Sequence, residues 1–289
     1  MSNEQKKTNT ATIMLGAALV GVLGIAGFGM YSMTSSVAGL KNEVTELRTE
    51  VNANAQEQLS PKEFQKAVAD SLEQLAQKKK QEQLEAKYAQ YEQAAEKVPG
   101  DKSIYGNVNA RFTLVEFSDL ECPFCKRFHE TPKQIVDNSK GNVNWQWKHL
   151  PLGFHNPAAK RQAMAAECVR EQKGNKAFWV FIDDVFQHSR GNGQGVPNLA
   201  ALVEGVGADV DQVQECMSEG RYSDKIDQEA QQAANNGING TPATFVVDNT
   251  TGKTQLLTGA QPPQAIMAAI RKMMAEQEEA QAEAGAAGE

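Results

Sequence analysis

The chain has 289 residues, of which 40% are hydrophobic and 22% charged, enough to bury one ordinary domain of roughly 150 to 200 residues with much chain left over. Its net charge of −7 and pI near 5.3 exclude nucleic acid as a partner, because phosphate binding needs a basic surface. The cysteines number four, an even count that suits an oxidising compartment.

No charged residue occurs between Thr8 and Leu40, and the run from Ala11 to Met33 is long enough to cross a bilayer as one helix. A cleaved signal peptide competes with that reading, but the run exceeds a usual signal h-region and Ser35, Val37 and Ala38 make a poor cleavage pattern. Lys6 and Lys7 precede the span, so the positive-inside rule places residues 1–10 in the cytoplasm and the rest of the chain in the bacterial periplasm. The expectation is a single-pass inner-membrane protein anchored by residues 11–33.

Residues 34–99 read as a helical stalk. Val37, Leu40, Val44, Leu47 and Val51 form an a/d heptad seam, which predicts a homo-oligomer; Val at a and Leu at d favour a dimer, and a trimer remains open, as does a lone amphipathic helix. Ser60, Pro61 and Glu63 then give a capping box at the start of a second helix, expected to run past Leu84, Tyr88 and Tyr91 to Pro99 over about 55 Å. The Lys78–Lys80 run reads as a solvated helix face.

The apolar run Phe112–Phe117 predicts a strand, and Cys122-Pro123-Phe124-Cys125 follows it at what reads as a helix start. There, unsatisfied backbone N–H groups and the helix dipole favour the Cys122 thiolate. Half a zinc site has the same spacing, but zinc needs two further ligands and neither Cys168, Cys216 nor the four histidines offer a paired spacing. The expectation is a redox dithiol with no metal and no cofactor. Downstream, Val143–Leu150 predicts a strand, residues 157–236 a helical region, Ala243–Val247 and Gln255–Leu257 further strands, Pro263–Glu276 a helix and residues 277–289 a frayed or disordered tail. Gly240-Thr241-Pro242 leads directly into the third of these strands.

A strand, Cys-Pro-Phe-Cys, a helix, a long helical insertion and Gly-Thr-Pro before a strand together resemble the DsbA-like branch of the thioredoxin superfamily, bacterial cell-envelope disulfide oxidoreductases, over roughly residues 101–275. The resemblance implies an α/β thioredoxin fold in residues 100–276 with an inserted helical subdomain at about 157–236. It implies Cys122 as nucleophile and Cys125 as resolving thiol, with Thr241 and a cis Pro242 lying against them. Pro123, Phe124, Thr241 and Pro242 are then the substrate-binding set, since a proline without N–H leaves neighbouring backbone groups free for an extended peptide. Glu116 stands where relatives often carry a buried acid, a candidate proton acceptor for Cys125, with Lys148 as its candidate ionic partner; the alternative is an exposed carboxylate at a strand end. Asp119 and Glu121 read as surface charges whose potential opposes thiolate formation at Cys122. Cys168 and Cys216 are expected to pair as a structural disulfide, as in some relatives, the alternative being two buried thiols.

Threonine at 241 and the oligomerisation segment resemble the isomerases of the DsbC, DsbG and ScsC group. The function expected is therefore a thiol:disulfide isomerase or reductase acting on disulfide-containing envelope or secreted proteins and kept reduced by a DsbD-like membrane partner. A dithiol oxidase served by a DsbB-like partner is the first alternative. A membrane-tethered holdase, or an assembly subunit of an envelope machine, is the second.

Overall fold

The computed structural model describes residues 44–46, 48, 49 and 60–286, so the expected membrane span and, apart from Val44, the heptad seam lie outside the described residues. Among the described residues no helix is long and apolar enough to cross a membrane. The chain divides into two units, Met1–Leu75 and Ala76–Glu289.

Helix α1 (Pro61–Ala89), which starts in the first unit and ends in the second, opens on the expected capping box: the Ser60 N–H donates to the Glu63 carboxylate at 2.8 Å, and the Glu63 N–H approaches the Ser60 hydroxyl at 3.4 Å. No residue of this helix is buried, and Phe64 and Leu72 lie on its exposed surface.

The second unit holds a five-stranded sheet in the order β1 (Ser103–Tyr105), β3 (Val143–His149), β2 (Phe112–Ser118), β4 (Ala243–Asp248), β5 (Thr254–Thr258). Strands β2 and β3 are parallel and the other pairs antiparallel. A parallel pair needs a crossover, supplied here by helices α2 (Pro123–Phe128) and α3 (Glu130–Asn138). Strand β2 is buried on both faces, which is why it reads as a nearly continuous apolar run. Leu114, Trp145 and Val246 on one face join Phe178, Trp179 and Phe181 in the main core, while Phe117 and Ala243 on the other pack with Ala233 and Ile238.

Between β3 and β4 lie the helices of the expected insertion, α4 (Ala158–Lys173), α5 (Asn175–His188), α6 (Leu199–Gly205), α7 (Val210–Ser218) and α8 (Ser223–Asn235). A buried ionic cluster ties them to the sheet. The Trp147 indole donates to His149 Nδ1 at 3.1 Å, His149 Nε2 lies 3.1 Å from Glu167, and Glu167 also takes Arg170 and Lys225, both at 2.7 Å. Cys168 of α4 and Cys216 of α7 form a disulfide with Cα atoms 6.0 Å apart, closing a sequence separation of 48. Replacing both cysteines with alanine is expected to lower the unfolding free energy by about 4 kcal/mol, read from urea denaturation as a lower midpoint with a steeper slope because the unfolded chain expands without the cross-link; a loss below about 1 kcal/mol would refute that role.

Three elements differ from expectation. Helix α1 stops at Ala89 rather than near Pro99. The cause is the core. Tyr91 and Ala94 are buried, Ala94 bridges Tyr105 of β1, and the Gly106 N–H donates to the Gln93 carbonyl, a pairing that helical backbone cannot make. Asn175 holds the Ala95 carbonyl at 2.9 Å, and Tyr91 Oη lies 3.1 Å from His129 Nε2. At the other end, α9 (Pro263–Ala286) continues beyond Glu276 through most of the stretch expected to fray. Ile266, Ala269, Ile270 and Met273 bury its first half. Strand β1 was not foreseen.

Candidate active site

Strand β2 carries the site on its C-terminal end. Cys122 caps α2 with extended backbone (φ −80°, ψ 121°), Pro123 occupies the first turn where its missing N–H costs nothing, and Cys125 follows one turn on. Both are free thiols, Cys125 fully buried and Cys122 5% exposed. The Thr241–Pro242 peptide is cis, and the Cys122 thiol faces the Thr241 carbonyl at 3.5 Å. Residues separated by 119 positions thus meet at one sulfur.

The two thiols differ sharply. Hydrogen bonding from the Cys125 thiol, then from Thr241 and the Cys125 and Phe124 N–H groups, outweighs burial and brings the Cys122 pKa down from 9.0 to about 5. Burial first, then the hydrogen bond its thiol makes to Cys122 and the charge there, pushes Cys125 well above its ordinary value. At neutral pH the pair is one thiolate beside one thiol.

Beneath them lies Glu116, with no exposed surface and with neither oxygen in hydrogen-bonding geometry with a protein group. The register places it opposite Trp147 and Thr244, on the same sheet face as Ser118 and Trp145. Desolvation pushes its pKa from 4.5 up to about 8; the Ser118 hydroxyl and Trp145 indole pull weakly the other way, and the charge on Cys122 adds to the rise. The exposed-carboxylate alternative is excluded by this burial. Lys148 is not its partner: it pairs in register with Phe117, so its side chain leaves the opposite face, donates to Gln232 at 2.7 Å and lies over the Phe117 ring.

Asp119 and Glu121 are not surface charges either; each is 1% exposed. Asp119 accepts the N–H groups of Glu121 at 2.7 Å and Leu152 at 2.8 Å, and lies 2.8 Å from His155 Nδ1. Glu121 accepts the Ser189 hydroxyl and the Gly195 N–H, while its carbonyl takes the Asn192 N–H at 2.8 Å. Their charge is spent on donors from two remote loops, which explains why they do not prevent a low pKa at Cys122. No local pattern in the sequence reports such partners.

Beside the thiols, Phe124, Arg127, Thr131, Gly259, Gln261 and Pro262 border a cavity of about 500 Å³. The Arg127 guanidinium lies over the Phe124 ring at 4.7 Å, and the ring itself remains 55% exposed. A thiolate at a rim, a buried thiol and a buried acid below it, and an open apolar cavity alongside can carry out thiol–disulfide exchange on an extended chain.

Comparison with known proteins agrees. Residues 97–272 match the thioredoxin family model Thioredoxin_4. The structure of Pseudomonas aeruginosa DsbA2 is 36% identical over 61% of this chain and 96% of that one, with a TM-score of 0.55. A thioredoxin-like oxidoreductase from Silicibacter pomeroyi DSS-3 is 25% identical over 61% and 94%, with a TM-score of 0.52. Among curated sequences, the Na(+)/H(+) antiporter NhaA 3 of Salinispora tropica is 30% identical over 51% of this chain but only 22% of the antiporter, so the chain spans about a fifth of that relative's length. A Cys-x-x-Cys helix start against a cis Thr-Pro turn and these likenesses lead to one conclusion: the chain belongs to the thioredoxin family, as a thiol–disulfide oxidoreductase of the DsbA-like type.

Proposed function

We propose that the protein is a periplasmic, membrane-anchored disulfide isomerase or reductase acting on envelope or secreted polypeptides, with Cys122 as nucleophile and Cys125 as resolving thiol. The observation that carries this is the Cys122 thiolate, with a pKa of about 5, presented at the Thr241–Pro242 turn. An isomerase must wait in the reduced state with its nucleophile charged, and at pH 7 roughly 99% of such a thiol is thiolate. The Cys122 thiolate attacks a substrate sulfur, forming Cys122–S–S–substrate and releasing the substrate's other sulfur as thiolate. A second substrate thiolate then attacks the substrate sulfur, forming a new substrate disulfide and releasing Cys122 as thiolate; alternatively Cys125, after giving up its proton, attacks Cys122 Sγ, forming the Cys122–Cys125 disulfide and releasing the substrate sulfur as thiolate. Thr241 stands at the reacting sulfur: its carbonyl faces the Cys122 thiol at 3.5 Å, and its buried hydroxyl has no hydrogen-bond partner among the protein groups. The resemblance of threonine here to the isomerases favours the isomerase direction.

An oxidase reading is favoured by one fact: stabilising the thiolate stabilises the reduced protein and so makes the Cys122–Cys125 disulfide a stronger oxidant. The resting state in cells separates the two. Acid quench and alkylation with a mass tag, with Cys168 and Cys216 as the oxidised reference, is expected to find Cys122 and Cys125 mostly reduced. A mostly oxidised pair would show that the protein inserts disulfides and refute the isomerase direction.

A further inference from the structure

Four buried polar groups gather on one face of the sheet, and none has a hydrogen-bond partner among the described residues: the Glu116 carboxylate, the Ser118 and Thr244 hydroxyls and the Trp145 indole N–H. The two-residue period of a strand puts Ser118 on the Glu116 side of β2. The register sets Thr244 directly opposite Glu116 and Trp145 opposite Leu114, on that same face. A buried polar group left without a partner calls for a reason, and a part in the chemistry is one.

Of the four, Ser118 is the group that joins the two reacting residues. Its backbone is fixed, since it ends β2 and its carbonyl takes the Leu150 N–H at 2.8 Å. Its hydroxyl lies within reach of both the Glu116 carboxylate and the Cys125 thiol: against the burial that raises both, it draws both pKa values down. It meets strict hydrogen-bond geometry with neither. Such contacts are often long in a resting site and tighten once the reacting complex forms. Glu116 itself makes no hydrogen bond to Cys125 and acts on it through charge. The Trp145 indole can give a proton but cannot take one, whereas a hydroxyl does both. Trp147 and Thr244, which flank Glu116 in the register, carry no charge that would compete for the proton.

We propose that Ser118 is a catalytic residue of the resolving step, a proton relay from the Cys125 thiol to the Glu116 carboxylate. As Cys125 Sγ attacks Cys122 Sγ, the new S–S bond forms and the bond from Cys122 to the substrate breaks, its electron pair leaving on the substrate sulfur. The Cys125 proton passes to Ser118 Oγ while the Ser118 hydroxyl proton passes to a Glu116 oxygen. The serine ends as it began, and the acid ends neutral. This rests on the exchange reading and on Glu116 as proton acceptor, and adds the residue that connects acid to thiol.

The test mixes full-length protein, with Cys122 and Cys125 reduced, with excess oxidised glutathione and quenches it in acid at intervals. Mass spectrometry counts the Cys122–glutathione and Cys122–Cys125 forms, giving separate rates for attack and for resolution from about pH 6 to about pH 9. Wild type, Ser118→Ala, Glu116→Gln and the double variant are compared. Ser118→Ala is expected to slow resolution at least about tenfold more than it slows attack, and to flatten the rise of resolution toward pH 8. In the Glu116→Gln background the same substitution should cost no more than about twofold, because the path is already cut. Losses that multiply in the double variant overturn the relay. So does resolution in Ser118→Ala that keeps the wild-type rate and pH profile beside a slowed Glu116→Gln, which leaves Glu116 as acceptor. Resolution unimpaired in both single variants overturns the acceptor and the relay together. A wild type that forms no disulfide with glutathione overturns the exchange reading along with them.

Discussion

Replacing Cys122 with serine is expected to abolish thiol–disulfide exchange, a fall of at least ~10³-fold in rate toward any disulfide substrate. Two features of the site set that magnitude. A serine hydroxyl stays protonated where the Cys122 thiol is already ionised, and Cys125 cannot substitute, being fully buried with its pKa pushed well above the ordinary value. The companion variant gives the opposite pattern. Cys125→Ser keeps the attacking thiolate and loses the sulfur that clears it, so a mixed disulfide with substrate accumulates and is visible on a non-reducing gel. Cellular function that persists in Cys122→Ser would refute catalysis as the main role and return the holdase reading.

Glu116→Gln is expected to make the protein more stable and less active at once. In the folded state the acid titrates at about 8 against 4.5 in the exposed chain, so between those values the folded protein holds a proton that the unfolded chain has lost. Stability therefore falls as pH rises through that window, by about 1.4 kcal/mol per unit, and is level on either side of it. Glutamine never ionises and escapes the penalty. The variant should gain on the order of 3 kcal/mol at pH 7 relative to wild type, and nothing below about pH 4. Urea denaturation of the reduced protein at several pH values checks this. A gain that does not change with pH would show that the carboxyl is not the source. Without a proton acceptor under Cys125, the resolving step should slow by about 10²-fold and lose its rise toward pH 8.

These two residues were legible in the sequence because each lies in a short local pattern: a dithiol at a strand-to-helix junction, and an acid within the strand before it. The turn Thr241-Pro242 was legible for the same reason, and so were the strands β2, β3 and β4, whose apolar runs are long enough to recognise. What was illegible depends on distant partners. Asp119 and Glu121 look like turn residues until Leu152, His155, Ser189 and Gly195 arrive to neutralise them. Lys148 was assigned to Glu116 by proximity of strands, yet the two-residue period of a strand sends it to the other face. Strand β1 is three residues long, too short to show any alternation, and exists because β3 offers it an edge.

The segment that follows α1 bears on where the folding unit begins. The family match starts at residue 97, but Tyr91 and Ala94 are already core. A chain trimmed to the match would lose the ring that stands over His129 and the strand-like contact along Tyr105, leaving an aromatic-sized hole and an unpaired sheet edge one helical turn from Cys125. A catalytic piece that keeps this core intact therefore has to begin before Tyr91.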